Sequence, residues 1–153
     1  MRLLALLFAT PRRAILTVLG VVVFLGISVI LARFFELDNV ERTDELSVLT
    51  AEIHGNAASM HAQLHACSYG CPADVRIDAR TLRRHGSVLI LAWSSQTSGT
   101  LTTSEGWTRV AWKVGSSLPV VQCFRVRRSG NAITGLTVTL LRVSRPIPDT
   151  SDC

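Results

Sequence analysis

The sequence predicts an α+β protein: an N-terminal transmembrane helix, then an amphipathic helix packed on a four- to five-stranded antiparallel sheet. Three observations carry this reading. Residues 14–32 contain no charged side chain. From Leu46 to Cys67, apolar residues recur every three or four positions. From Gly86 to Val143 the hydrophobic period changes to two.

The apolar run comes first. Its 19 residues at a 1.5 Å rise come close to a hydrocarbon core about 30 Å thick. Lipid leaves unpaired backbone groups no partner, so this stretch must be helical there. Thr10 suits the N-cap and Pro11 the first helical position. Arg2, Arg12 and Arg13 precede the run, while Arg33 and Arg42 follow it among five acids. The positive-inside rule weighs the bases and places the N-terminus in the cytoplasm. The exit through Ala32, Arg33, Phe34 and Phe35 lacks a small-x-small cleavage pattern, so the run reads as an uncleaved signal-anchor with interfacial phenylalanines.

The expected division is a cytoplasmic tail over 1–13, a transmembrane segment over 14–35, an acidic juxtamembrane helix over 36–72, and a basic extracytoplasmic sheet over 73–153. In the juxtamembrane segment, Leu46, Leu49, Ile53, Ala57, Met60, Leu64 and Cys67 fall on one helical stripe. Asn39 or Thr43 would cap its start, and Gly55-Asn56 marks a kink. The sheet needs a cover, so the stripe is read as its seam, with a seam against a second copy as the alternative.

Four strands follow a short one expected at 74–78. Residues 86–94 read as a central strand and 95–105 as a long Ser/Thr/Gly-rich loop. In 107–114, Thr108, Val110, Trp112 and Val114 share one face. In 120–128, Val120, Phe124 and Val126 point inward and Arg125 and Arg127 outward. Ser129-Gly130-Asn131 signals a hairpin, and 133–143 closes the sheet with Leu136, Val138 and Leu140 inward and a bulge at Leu140-Leu141. Pro146 and Pro148 stop the strand.

Four cysteines, all beyond the span, point to two disulfides in an oxidising compartment. The pairing Cys67 with Cys71 and Cys123 with Cys153 is preferred, because a short loop closes readily and a terminal cysteine is best used to staple a tail. A bridge from Cys67 or Cys71 to Cys123 is the alternative.

This order of elements, an anchored helix, a sheet and a C-terminal disulfide, resembles the pilin-like architecture. The resemblance is in architecture only: the chain has no Gly-Phe processing site followed by a glutamate, and a ten-residue tail precedes the anchor.

Charge divides the exported part. Residues 36–52 hold six acids and one arginine, whereas 74–145 hold eleven bases and three acids. The basic part lies outside the cytoplasm on this topology, which argues against nucleic acid as a partner. Arg109, Lys113, Arg125 and Arg127 form the candidate interaction face on the strands. His54, His61 and His65 form a row beside the apolar stripe that would grip a transition metal, but an HxxxH pair without its glutamate is no metalloprotease signature, and solvated histidines are the preferred reading. There is no nucleophile motif and no phosphate loop, so neither catalytic residues nor a cofactor is expected.

The functional expectation is a non-enzymatic single-pass cell-membrane protein. Its small extracytoplasmic domain would bind another envelope protein, or a second copy through the juxtamembrane helix, within an envelope or pilus-like surface assembly. The alternatives are a metal-binding envelope protein using the histidine row and an unrecognised envelope enzyme.

Overall fold

The computed structural model describes residues 11–67, 70–100, 102–131, 135–148 and 151–153. It divides into two compact units, the first ending at Glu36 and the second running from Leu37 to Cys153. One helix, α1 (Pro11–Ile53), contributes to both. The Thr10 cap, the Phe34 and Phe35 side chains, Ile133 and the Leu136 side chain lie outside what is described.

In the first unit, α1 carries the segment Ala14–Ala32, long and apolar enough to cross a membrane. Its large side chains stand open, from Ile15 at 67% exposed to Ile30 at 50%.

The second unit is an α+β domain whose sheet has the order β1-β2-β3-β4, every neighbour antiparallel. The strands are β1 (Val88–Gly99), β2 (Thr103–Val114), β3 (Val120–Asn131) and β4 (Gly135–Val143). Two short helices, α2 (Ala57–Gln63) and α3 (Cys71–Thr81), join α1 to the sheet. The juxtamembrane stripe is therefore not one helix. No cap forms at Asn39 or Thr43, since nothing from 33 to 40 breaks the helix, and Thr43 instead donates to the Asn39 carbonyl within it at 2.8 Å. The break comes at Gly55, whose φ of 73° suits glycine, and Asn56 recaps the chain by accepting from the Ser59 amide at 3.0 Å.

Most stripe residues keep their expected role across that break, but Leu46 is exposed and Ala57 and Cys67 are only partly buried. Leu49, Ile53, Met60 and Leu64 are buried with Val110, Trp112, Phe124, Val126, Leu140 and Val143 in one core. Each such side chain contributes about 1.5–3 kcal/mol by leaving water.

Three expectations for the sheet are corrected. Residues 74–78 are helical, not a strand: Cys71, Val75, Asp78 and Ala79 recur at helical spacing and are all buried in α3. The alternation of Val75 and Ile77 between charged neighbours hid that longer period. The apolar run at 86–94 forms an edge strand, not a central one. A bulge puts Leu91 opposite no partner, between Ile90 paired with Trp112 and Ala92 paired with Ala111. As a result Leu89 and Leu91 both stand in solvent, 54% and 47% exposed. Finally, 95–105 is a hairpin, not a long loop, because β1 and β2 stay paired out to Gly99 and Ser104. Gly106 permits this close approach, since a Cβ there would lie 2.0 Å from the Gln96 carbonyl oxygen.

Leu141 is the bulged residue of β4: Arg125 pairs with Arg142, and Val126 with Leu140. Beyond β4 the chain continues beside β3, where the Ile147 amide donates to the Val121 carbonyl at 2.8 Å. At the C-terminal end, Cys153 is bonded to Cys123. Cys123 faces away from the helices as its position opposite Phe124 requires. Cys123 itself is 3% exposed, while Cys153 at the other end of the bridge is exposed. The other disulfide joins Cys67 to Cys71 across a Cα separation of 5.2 Å and ties the exit of α2 to the start of α3.

Candidate functional site: a buried carboxylate seam and the surfaces it leaves free

Glu41, Glu45 and Glu52 sit on α1 at spacings of four and seven, which puts them within about 40° of one another on a helix. Val48 and Leu49 flank them on the same side. The face that buries the apolar stripe therefore buries the acids too, and all three are fully enclosed. The sequence reading placed them in an acidic juxtamembrane helix without assigning them individual partners. The missed signal was their shared angle with Val48 and Leu49.

Each acid meets a partner from the sheet. Glu41 accepts from the hydroxyls of Thr108 and Ser95, and its other oxygen forms an ion pair with Arg128 at 2.6 Å. Arg128 is 16% exposed and also reaches Asp38 at 3.3 Å. Glu45 accepts from the Trp93 indole N–H at 2.6 Å, and the Arg42 guanidinium lies 5.1 Å from the Trp93 ring centre. Glu52 accepts from Gln122 Nε2 at 2.9 Å, while Gln122 Oε1 accepts from the Trp112 indole at 2.7 Å. Asp78 of α3 is also buried.

Burial governs the acid strength here. Loss of water pushes Glu45 up to about 8 despite the opposing Trp93 hydrogen bond, with nearby Glu41 adding to the rise. Desolvation likewise raises Glu52 to about 8 against the pull of Gln122. Asp78 rises to about 6 through desolvation, which Arg145 partly offsets. One oxygen of each of these three carboxyls has no hydrogen-bond partner, an arrangement that a neutral carboxyl tolerates far better than an ionised one. The seam joins helix to sheet through directional bonds. Among the described residues, two clefts of the second unit, one of about 220 Å³ beside Asp44 and His65 and one of about 520 Å³ beside Thr50 and His54, are lined by none of these three acids.

The residues singled out from sequence are distributed differently. The histidine row does not form, because the chain breaks at Gly55. His54 ends α1 with Nδ1 2.6 Å from the Thr50 carbonyl oxygen, His61 lies in the last turn of α2, and His65 lies past its end with its amide bonded to the Leu140 carbonyl. Among the described residues, no three His, Cys, Asp or Glu gather as a metal site. On the strands, Arg125 and Arg127 both clasp Glu105, at 2.7 and 2.9 Å, and Arg125 also lies over Trp107. These hydrogen bonds lower the Glu105 pKa, with Arg127 the larger influence. Arg109 is half-buried and donates to the Ser151 carbonyl of the tail at 3.4 Å. Lys113 is half-buried on the same outer face. The expected basic strand face is therefore largely committed internally.

Further exposed basic residues lie elsewhere: Arg76 and Arg80 on α3, and Arg83, Arg84 and His85 just after it. Open too is the outer edge of β1, which among the described residues pairs with β2 alone. No protein family, curated protein or solved structure matches this chain.

Proposed function

We propose that this chain is a single-pass membrane protein, its N-terminus cytoplasmic and its disulfide-braced domain extracytoplasmic, that acts by binding within an envelope or surface assembly and not by catalysis. The observation that carries the reading is the β1 edge. Twelve residues of strand, Val88–Gly99, carry no charge and no proline, and two of them, Leu89 and Leu91, stand in solvent. Exposed edges are ordinarily blunted by charge or proline, because their free N–H and C=O groups template further pairing. An edge left in this state is suited to receive a strand from another envelope protein or from a second copy.

Two further features support the reading. The perturbed acids are enclosed in the seam with their partners. The element order, one long helix followed after two short ones by a four-stranded meander and a C-terminal disulfide, resembles the pilin-like architecture. The test is a photo-crosslinking residue placed at Gln96 in the full chain in intact membranes, with Thr137 on the opposite edge strand as control. Adducts of higher mass from Gln96 that disappear in Leu89→Asp, Leu91→Asp are expected. Recovery of monomer alone from Gln96 would overturn the proposal.

A further inference from the structure

The arginines of the second unit fall into two groups. Arg125 and Arg127 hold Glu105, Arg128 holds Glu41 and Asp38, and Arg142 and Arg145 hold Asp74 at 3.3 and 2.7 Å. Arg42 lies over Trp93, and Arg109 reaches the tail. Arg76, Arg80, Arg83 and Arg84 are different. Among the described residues, none of these four pairs with a carboxylate or lies over an aromatic ring. Arg76 donates only to the Pro72 carbonyl, and Arg84 to those of Thr81 and Arg83. The one acid within this stretch, Asp78, is 1% exposed and turned into the interior.

Arg76 and Arg80 stand one helical turn apart on the same face of α3. Like charges in that relation destabilise a helix by a few tenths of a kcal/mol. Here four arginines fall within nine residues, and the one acid among them, Asp78, is buried.

We infer that Arg76, Arg80, Arg83 and Arg84 form a binding surface for an extracytoplasmic polyanion with repeated phosphate groups. Guanidinium groups match phosphate oxygens in pairs, and four of them close in sequence, two a helical turn apart on α3 and two just past its end, suit a polymer that presents charge at intervals. The Arg84 amide bonds the Ile53 carbonyl at 2.9 Å, and the Arg83 stem packs beside Gly55, so this part of the patch sits at the Ile53 end of α1. This surface goes beyond the assembly reading and does not involve β1.

The experiment uses the full chain in nanodiscs of neutral phosphatidylcholine, with fluorescent linear polyphosphate as the probe, titrated at several salt concentrations. Salt-sensitive binding is expected. Arg80→Gln, Arg83→Gln, Arg84→Gln together should weaken it at least tenfold and lower the log–log salt slope by about one per arginine removed. Arg125→Gln, Arg127→Gln should change it less than threefold. Thermal melting of the triple variant should match the parent or exceed it. If the triple variant does not fold, Arg80→Gln alone should still weaken binding about threefold. Equal losses in both variants would show a response to net charge only and overturn the inference, as would unchanged binding in the triple variant. Arginine-dependent capture of phosphatidylglycerol vesicles in preference to polyphosphate would overturn it in favour of a lipid surface.

Discussion

Gln122 holds Glu52 inside the domain: its Nε2 donates to Glu52 Oε1 at 2.9 Å, while its Oε1 accepts from Trp112 at 2.7 Å. One side chain thus satisfies a buried acid on α1 and a buried indole on β2. Gln122→Ala leaves both without a partner, and each unsatisfied buried group costs about 1–3 kcal/mol. A loss of about 2–4 kcal/mol is expected, read by urea unfolding of the full chain in nonionic detergent. An unchanged midpoint would show that the bridge contributes nothing.

Glu45 and Glu52 set the pH dependence. Both titrate near 8 in the folded domain and near the ordinary carboxylate value when unfolded. Between those values the folded state binds more protons than the unfolded one, so stability falls as pH rises. Their contribution is favourable below about pH 4.5 and lost progressively up to about 8, at no more than about 1.4 kcal/mol per pH unit for each. The melting temperature should decline from pH 5 to 8, and Glu45→Gln, Glu52→Gln should flatten that decline. An equal slope in parent and variant would contradict the assignment.

Arg128 and Glu41 form an ion pair within the seam, at 2.6 Å. Arg128→Met strands a carboxylate that is fully enclosed, and breaking a buried pair from one side costs about 3–5 kcal/mol. Adding Glu41→Gln should recover much of that loss, since a neutral amide still meets the hydroxyls of Ser95 and Thr108. A double-mutant cycle in urea measures the coupling; additive losses would deny it.

The tail depends on its disulfide. Cys123 and Cys153 close a sequence separation of 30 residues. In the chain-entropy model, closure of that length stabilises by about 3–4 kcal/mol. Cys153→Ser should lower the melting temperature and expose residues beyond Ile147 to protease while membrane insertion is unchanged. Limited proteolysis with mass analysis checks both arms.

Much of this fold is legible locally. The alternation of Val110, Trp112 and Val114 is visible in sequence because it needs no knowledge of what lies opposite. The same holds for the bulge at Leu141, marked by two successive leucines out of phase. The seam was hidden for the opposite reason. Glu41, Glu45 and Glu52 resemble any acidic helix face until Arg128, Trp93 and Gln122 arrive from 48 to 87 residues away. Arg125 and Arg127 looked available because Glu105, about twenty residues distant, could not be assigned to them.

What the sequence determines by itself is whatever repeats along the chain: the uncharged run at 14–32, the helical stripe through Leu49 and Ile53, and the two-residue period of β2 and β3. These arise from backbone geometry and hydrophobicity, which act between near neighbours. Tertiary structure alone decides which charges are neutralised, which acids are buried and which strand is left at the edge. Those outcomes depend on which distant side chains enter the same low-dielectric space. Solvation and Coulomb energies act through space, and no spacing along the chain encodes them.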